Sequence, residues 1–181
     1  RFLDLRSDKN TLLFQVQTCL VNAMREFCIK DNFVEIHTPK LIGAASESGS
    51  DVFEVNYFGE KAYLAQSPQF YKQMALASGF EKVFEIGPVF RAENSNSYRH
   101  TTEFTGFDIE ISCIESYEDI MEFEEDILVY ALSAVKEKYG ERIKEVFGVD
   151  VVVPSKPFPR IKLEDLYKAL EENYGFKMNF E

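Results

Sequence analysis

Tryptophan is absent from the 181 residues, histidine occurs twice and cysteine three times. No pair among Cys19, Cys28, Cys113, His37 and His100 has metal-ligand spacing, which argues against a zinc or iron–sulfur centre. An odd number of unpatterned cysteines fits reduced, packed thiols and a cytoplasmic location rather than a disulfide framework. No apolar run approaches the roughly 20 residues of a membrane span, so no membrane association is expected. A signal-peptide pattern, internal repeats and low-complexity stretches are also missing. The chain opens Arg1-Phe2-Leu3 without a methionine, so a fragment or processed product is expected. Positive charge is scarce as well: 20 Lys and Arg stand against 31 Asp and Glu, a net charge of -11. A surface given over entirely to nucleic acid does not fit that balance, although a small basic site on an acidic body does.

What is present is apolar mass. Hydrophobic residues make up 45% of the chain, including 17 Phe and 9 Tyr. That suffices for a sizeable core in one domain or most of one. Ser7 is a candidate N-cap for a long helix carrying Leu12, Val16, Leu20, Ala23 and Phe27 as one stripe, and Asp31-Asn32 ends it. Phe33 to Thr38 reads as a strand stopped by Pro39. Leu41 to Asp51 is a small-residue loop. Val52–Phe58 and Lys61–Gln66 form a hairpin around Gly59-Glu60. Ser67-Pro68 starts a helix, with the proline at its first position, that runs to about Ser78 before Gly79. Lys82–Glu93 and Thr101–Cys113 are the longest strand candidates. Ser116, with Asp119 as capping partner, opens a second long helix that Gly140 ends. Its inward residues are Ile120, Phe123, Ile127 and Ala131, and the acid-rich stretch Glu118 to Asp126 is its solvated face. Pro154 to Pro159 is a break, and Leu163–Tyr174 a last helix. Because hairpins rather than crossover helices join the strands, the fold class is α+β, with a mainly antiparallel sheet flanked by helices.

Chemistry concentrates on the two long strands. In Phe90-Arg91-Ala92-Glu93, Arg91 and Glu93 are two apart and point to one face; alone, this is a surface ion-pair strand. Along Thr101–Ile111, period two puts Phe104, Gly106, Asp108 and Glu110 on one face and Glu103, Thr105, Phe107, Ile109 and Ile111 on the other. A face of one flat aromatic, one residue without a side chain and two carboxylates is a poor core face. It suits a floor under a flat ligand with a cationic tail, and the opposite face is the packed one.

Together the strands read Phe-Arg-x-Glu, a polar loop, then His-x-x-x-Phe-x-x-x-Asp. This resembles motif 2 of class II aminoacyl-tRNA synthetases, and the stretch Gly87 to Asn96 through Phe104 resembles the subgroup for aspartate, asparagine and lysine. Phe33 to Leu41 resembles motif 1, a helix and strand ending in a dimer-interface proline, here Pro39. Tyr63-Leu64-Ala65-Gln66-Ser67-Pro68-Gln69-Phe70-Tyr71-Lys72-Gln73 looks like the aspartyl branch, and Arg1 to Arg6 looks like the lead-in that follows a tRNA-binding domain. The resemblance covers essentially residues 1–181 and weakens after about Tyr139.

The resemblance implies a partial class II catalytic domain, a homodimer, and ATP-dependent ligation of L-aspartate to tRNA(Asp) through an aspartyl-adenylate. Arg91 is then the catalytic residue, gripping the α-phosphate where negative charge grows. ATP would be held by Arg91, Glu93, Arg99, His100, Thr101 and Phe104, the last as a stacking surface. Glu93 serves the adenine amine or the tRNA end. Aspartate would meet Glu47 and Asp108 at its ammonium, with Gln69, Lys72 and Arg91 at its carboxylates. Gln69 and Lys72, three apart, share a helical face. Asn94, Ser95, Asn96 and Ser97, in the loop that runs on to Tyr98, would touch the tRNA acceptor end. The attacking carboxylate is already ionised at neutral pH, so the first step needs positioning and electrostatics but no general base. The family's motif 3, its Mg2+ ligands, the arginine that pairs with the aspartate side chain, and the anticodon-binding domain do not occur within these residues. No metal site is expected in this span, and the span alone is expected to be inactive. Two alternatives within the family are an asparaginyl enzyme and a related asparagine-making synthetase, against which Lys72 speaks. Outside it stand a non-catalytic dimerisation or regulatory module and a generic acidic α+β binding domain.

Overall fold

A computed structural model of the chain describes residues 2–45, 51–94, 97 and 99–177. After a short 3-10 turn at Asp4–Arg6 comes α1 (Asp8–Lys30), capped as expected by the Ser7 hydroxyl, which accepts from the Asn10 amide. Then follow β1 (Val34–Glu35), β2 (Leu41–Ile42), β3 (Glu54–Tyr57), β4 (Glu60–Leu64), α2 (Gln69–Ala77), β5 (Lys82–Phe90), β6 (Glu103–Ile111), α3 (Tyr117–Phe147) and α4 (Leu163–Tyr174).

The main sheet runs β1-β5-β6, and a smaller one runs β2-β4-β3. The long pair β5–β6 is antiparallel, and both pairings of the smaller sheet are antiparallel too. The strand expected over Phe33 to Thr38 shrinks to two residues and lies parallel to β5, with Ile36 N–H donating to Phe84 O at 2.8 Å. Backbone bonds join the two sheets: Ala65 N–H to Lys40 O and Phe90 N–H to Ala65 O, each 2.9 Å.

One face of the β5–β6 ribbon builds the core. Phe84, Ile86, Phe107, Ile109 and Ile111 pack with Cys28, Phe33, Phe123 and Ile127, so α1 and α3 cover that face. A second cluster, Leu12, Val135 and Ile143 with Val16, Leu20, Val146 and Phe147, joins α1 to α3. The Leu12–Phe27 stripe is therefore largely packed inside the subunit against α3. What α1 turns outward are Leu13, Phe14 and Ile29.

Three further boundaries differ from the sequence reading. The hairpin turns on Phe58-Gly59, both at positive φ, because Tyr57 and Glu60 close the ladder. Pro68 is the cap of α2 rather than its first residue. Gly140 does not end α3; the helix continues to Phe147 and stops at Gly148, whose φ of 71° suits a residue without Cβ. Continuing brings Ile143, Val146 and Phe147 onto α1, which outweighs the roughly 1 kcal/mol cost of one interior glycine. Within the stretch read as solvated, Glu125 is buried and paired with Arg160 at 3.3 Å. Among the described residues no helix is long and apolar enough to cross a membrane.

Candidate active site

The other face of the β5–β6 ribbon carries the candidate chemistry. Register pairs Val89 with Phe104, Gly87 with Gly106, Glu85 with Asp108, and Val83 with Glu110. The floor therefore grades from apolar and aromatic at one end, through two facing glycines, to carboxylates at the other. A Cβ on Gly106 would meet the Val89 methyls at 3.6–3.7 Å and Gly87 O at 4.0 Å, and one on Gly87 would meet Glu85 and Lys40 at 3.5 Å; these are ordinary contacts, so the two glycines lower the floor rather than relieve crowding within it.

At the carboxylate end α2 lies over the sheet. Its Lys72 Nζ donates to Asp108 Oδ1 at 2.5 Å and to Ile109 O at 3.2 Å, and pairs with Glu110 Oε2 at 3.0 Å. Burial leaves the lysine side chain 12% exposed. That burial pulls the ammonium's pKa down, but the bonds and charges of Asp108 and Glu110 more than offset it, so the net value is raised above the ordinary lysine range. Lys72 stays charged, and all three of its donors are engaged. One lysine between two carboxylates leaves the cluster net negative, a setting that welcomes an ammonium. Gln69 lies one turn earlier on α2, half-buried.

At the aromatic end Arg91 follows β5 directly. Its amide continues the ladder to Thr102 O at 2.9 Å, and its guanidinium stands over the Phe104 ring at 5.7 Å. Arg91 Nε is buried without a hydrogen-bond partner among the described residues. Native structures rarely leave such a donor idle, so an incoming acceptor is the natural complement. Phe104 is 38% exposed, with its ring available as a surface.

The remaining expected residues are looser. Glu93 is half-buried just past β5, whereas Asn94, Ser97, Arg99, His100 and Thr101 are exposed in the loop. His100 Nδ1 and Ser97 Oγ lie 2.7 Å apart, and Arg99 N–H donates to the same hydroxyl at 3.2 Å, so the loop holds itself. Pro39 is exposed beside β1. Glu47, Ser95, Asn96 and Tyr98 lie outside the described residues. The same alternation that exposed the Phe104–Glu110 face in the sequence, applied to β5, picks out Gly87 and Glu85, two floor residues that were overlooked. Glu110, on the same floor face, is the second carboxylate that holds Lys72. Among the described residues no three His, Cys, Asp or Glu side chains could hold a metal ion.

A family model described as tRNA synthetases class II (D, K and N) matches residues 1–180. An Aeropyrum pernix protein named aspartate–tRNA(Asp/Asn) ligase is 43% identical over 99% of this chain and 41% of its own length. A human protein named aspartate–tRNA ligase, cytoplasmic, is 46% identical over 91% of this chain and 33% of its own length. The chain thus spans less than half of the curated relatives it matches. Among solved structures, asparaginyl-tRNA synthetase from Pyrococcus horikoshii, complexed with asparaginyl-adenylate, superposes with a TM-score of 0.85 at 32% identity, over 99% of this chain and 41% of that one.

Proposed function

The chain belongs to the class II tRNA synthetases (D, K and N), and from that premise we propose that it forms part of the catalytic domain of an enzyme that ligates L-aspartate to tRNA(Asp). The choice of aspartate rests on Lys72, the cation at that end of the floor; because Asp108 and Glu110 leave its cluster net negative, the pairing also needs the substrate ammonium on those carboxylates and the second cation, the arginine that the family supplies outside this span. The names of its sequence relatives point the same way. The asparaginyl neighbour shares the fold, and fold does not separate the two amino acids.

On this reading ATP lies along the floor. The adenine stacks on Phe104, and Glu93 receives its amine or the tRNA end. Arg91, with its idle Nε, meets the α-phosphate, while Arg99, His100 and Thr101 flank the phosphate tail. The amino acid sits at the carboxylate end, its ammonium against Asp108 and Glu47. Its side-chain carboxylate goes to Lys72, helped by Gln69. Because Lys72 has no free donor, the substrate carboxylate displaces the longest of its bonds, the one to Ile109 O. The substrate α-carboxylate then attacks the α-phosphorus. A new P–O bond forms as the bond to pyrophosphate breaks, and pyrophosphate leaves with the electron pair. Arg91 stabilises the charge gathering at the α-phosphate and moves no proton. The 3′ hydroxyl of tRNA, guided by the loop from Asn94 through Ser95 and Asn96 to Ser97, then attacks the aspartyl carbonyl carbon: the ester C–O bond forms as the C–O bond to AMP breaks, AMP leaves with the electron pair, and the hydroxyl proton passes to a phosphate oxygen of the departing AMP. Magnesium, when bound, would shield the charge of the triphosphate; an ion held mainly by phosphate oxygens and water needs only one or two carboxylates from the protein.

We further read the full-length protein as a homodimer in the cytoplasm, with exposed Pro39 and the outward Leu13 and Phe14 in the subunit contact. Aminoacylation assays with purified tRNA(Asp), alongside sedimentation at micromolar concentration, test both statements. Aspartyl-tRNA formed by a dimer is the expected result; a monomer, or no aspartyl-tRNA, counts against them.

A further inference from the structure

Beside the floor lies a buried acid to which the reaction above gives no task. Glu85 is 4% exposed in the middle of β5. Its Oε1 accepts from Thr38 N–H at 2.8 Å and its Oε2 from the Thr38 hydroxyl at 2.7 Å. Lys40 Nζ pairs with the same carboxylate at 3.0 Å and donates to Thr38 Oγ1 at 3.1 Å. Burying a carboxylate is costly unless it is paired and hydrogen-bonded, and here both oxygens are used. All of those partners come from one three-residue turn, Thr38-Pro39-Lys40, which has no strand of its own.

The turn is connected to the amino-acid end of the floor by two routes. Glu85 is the cross-strand partner of Asp108. Lys40 O accepts from Ala65 N–H at 2.9 Å, and Ala65 leads through Ser67 and Pro68 into α2, which carries Lys72. Lys40, Pro68, Glu85, Gly87, Val89, Gly106 and Asp108 accordingly line one small cavity. Phe104 and Arg91 stand outside that lining: Phe104 pairs with Val89, whose backbone is four residues, roughly 13 Å, along the strand from Glu85.

We propose that Glu85 is a positioning residue, locking the Thr38–Lys40 turn onto the floor strand and so holding Asp108 and Lys72 in register for the amino acid, while leaving the nucleotide end untouched. The inference deepens the reading of this site as an amino-acid-activating one and rests on it. It predicts a split between the two substrates that a general packing role would not produce.

The test is ATP–pyrophosphate exchange by the full-length protein carrying Glu85→Gln, with thermal unfolding and an active-site titration to count folded enzyme. The amide keeps the size but loses the charge opposite Lys40 and turns a donor toward donors. Thr38→Val, which removes one bond and little shape, carries the same comparison should Glu85→Gln fold poorly. The KM for the amino acid should rise roughly tenfold in Glu85→Gln and about threefold in Thr38→Val, with the ATP KM within about twofold of wild type. An unchanged amino-acid KM in both variants, or both KM values rising together, overturns the lock. A wild type that activates asparagine instead of aspartate overturns the aspartate reading, and the lock is then judged on the asparagine KM. A wild type that activates neither overturns both.

Discussion

Lys72→Met removes a side chain with two separable tasks, and the structure allows each to be sized. The ammonium holds Asp108 at 2.5 Å and Glu110 at 3.0 Å and is 12% exposed. A hydrogen bond to a charged group contributes about 1.5–3 kcal/mol. Removing the cation also leaves two carboxylates facing each other, but both are about a quarter exposed, which softens the repulsion. A loss of about 3 kcal/mol of stability follows, or roughly 6–12 °C in Tm for a domain of this size. The second task is substrate recognition. Losing the charged bond to the aspartate side chain should lower kcat/KM for aspartate roughly a hundredfold, about 2.7 kcal/mol. Adding Glu110→Gln to Lys72→Met separates the two, since one uncompensated charge disappears. The double variant should recover part of the lost Tm and none of the aspartate activity. Exchange assays with aspartate, run beside thermal melts and ATP titrations, read both quantities. Aspartate use by Lys72→Met within about threefold of wild type would refute the reasoning and reduce Lys72 to a structural ion pair.

Other outcomes follow from the same geometry. Arg91→Ala should cut pyrophosphate exchange by about a hundredfold or more, on the order of 3 kcal/mol, with far-UV circular dichroism unchanged; near-normal exchange would remove Arg91 from the chemistry. Gly106→Ala should melt close to wild type, because its Cβ would meet Val89 and Gly87 O only at ordinary contact distances, yet weaken ATP binding several-fold by calorimetry by raising the floor. Lys72 has a folded pKa raised above its ordinary 10.5, so its stabilisation is fully present below that value and is lost as pH rises through the folded value. The stability gap between wild type and Lys72→Met should therefore be flat from about pH 6 to 9 and narrow above about 10.5 in denaturant titrations. Burial pushes the Cys28 thiol up to about 12, so in native protein at pH 8 a thiol reagent should modify exposed Cys113 readily and spare Cys28.

Local chemistry made much of this molecule legible in advance. Ser7 and the Ser116–Asp119 pair capped the helices they were expected to cap, because a cap depends on residues within one turn. The alternation in Phe104–Glu110 correctly divided floor from core, since a strand's pleat follows from period two alone. Long-range facts were not legible. Nothing near Phe33 says that its strand is short and parallel to β5, because register belongs to the partner. Gly140 reads as a stop until Ile143 and Phe147 are seen packing on α1, more than a hundred residues earlier in the chain. The partners of Lys72 were not legible either, because Asp108 and Glu110, 36 and 38 residues on, reach it only through the fold. Glu85 was overlooked for the same reason: its task lies in the Thr38–Lys40 turn.

The central claim is that the carboxylate end of the floor selects aspartate by charge. The most direct measurement is ATP–pyrophosphate exchange by the full-length wild-type protein with saturating ATP, titrating aspartate and asparagine in parallel. Aspartate-dependent exchange, with kcat/KM for asparagine lower by about a hundredfold or more, is the predicted result. Asparagine supporting exchange as well as aspartate, or better, would contradict it.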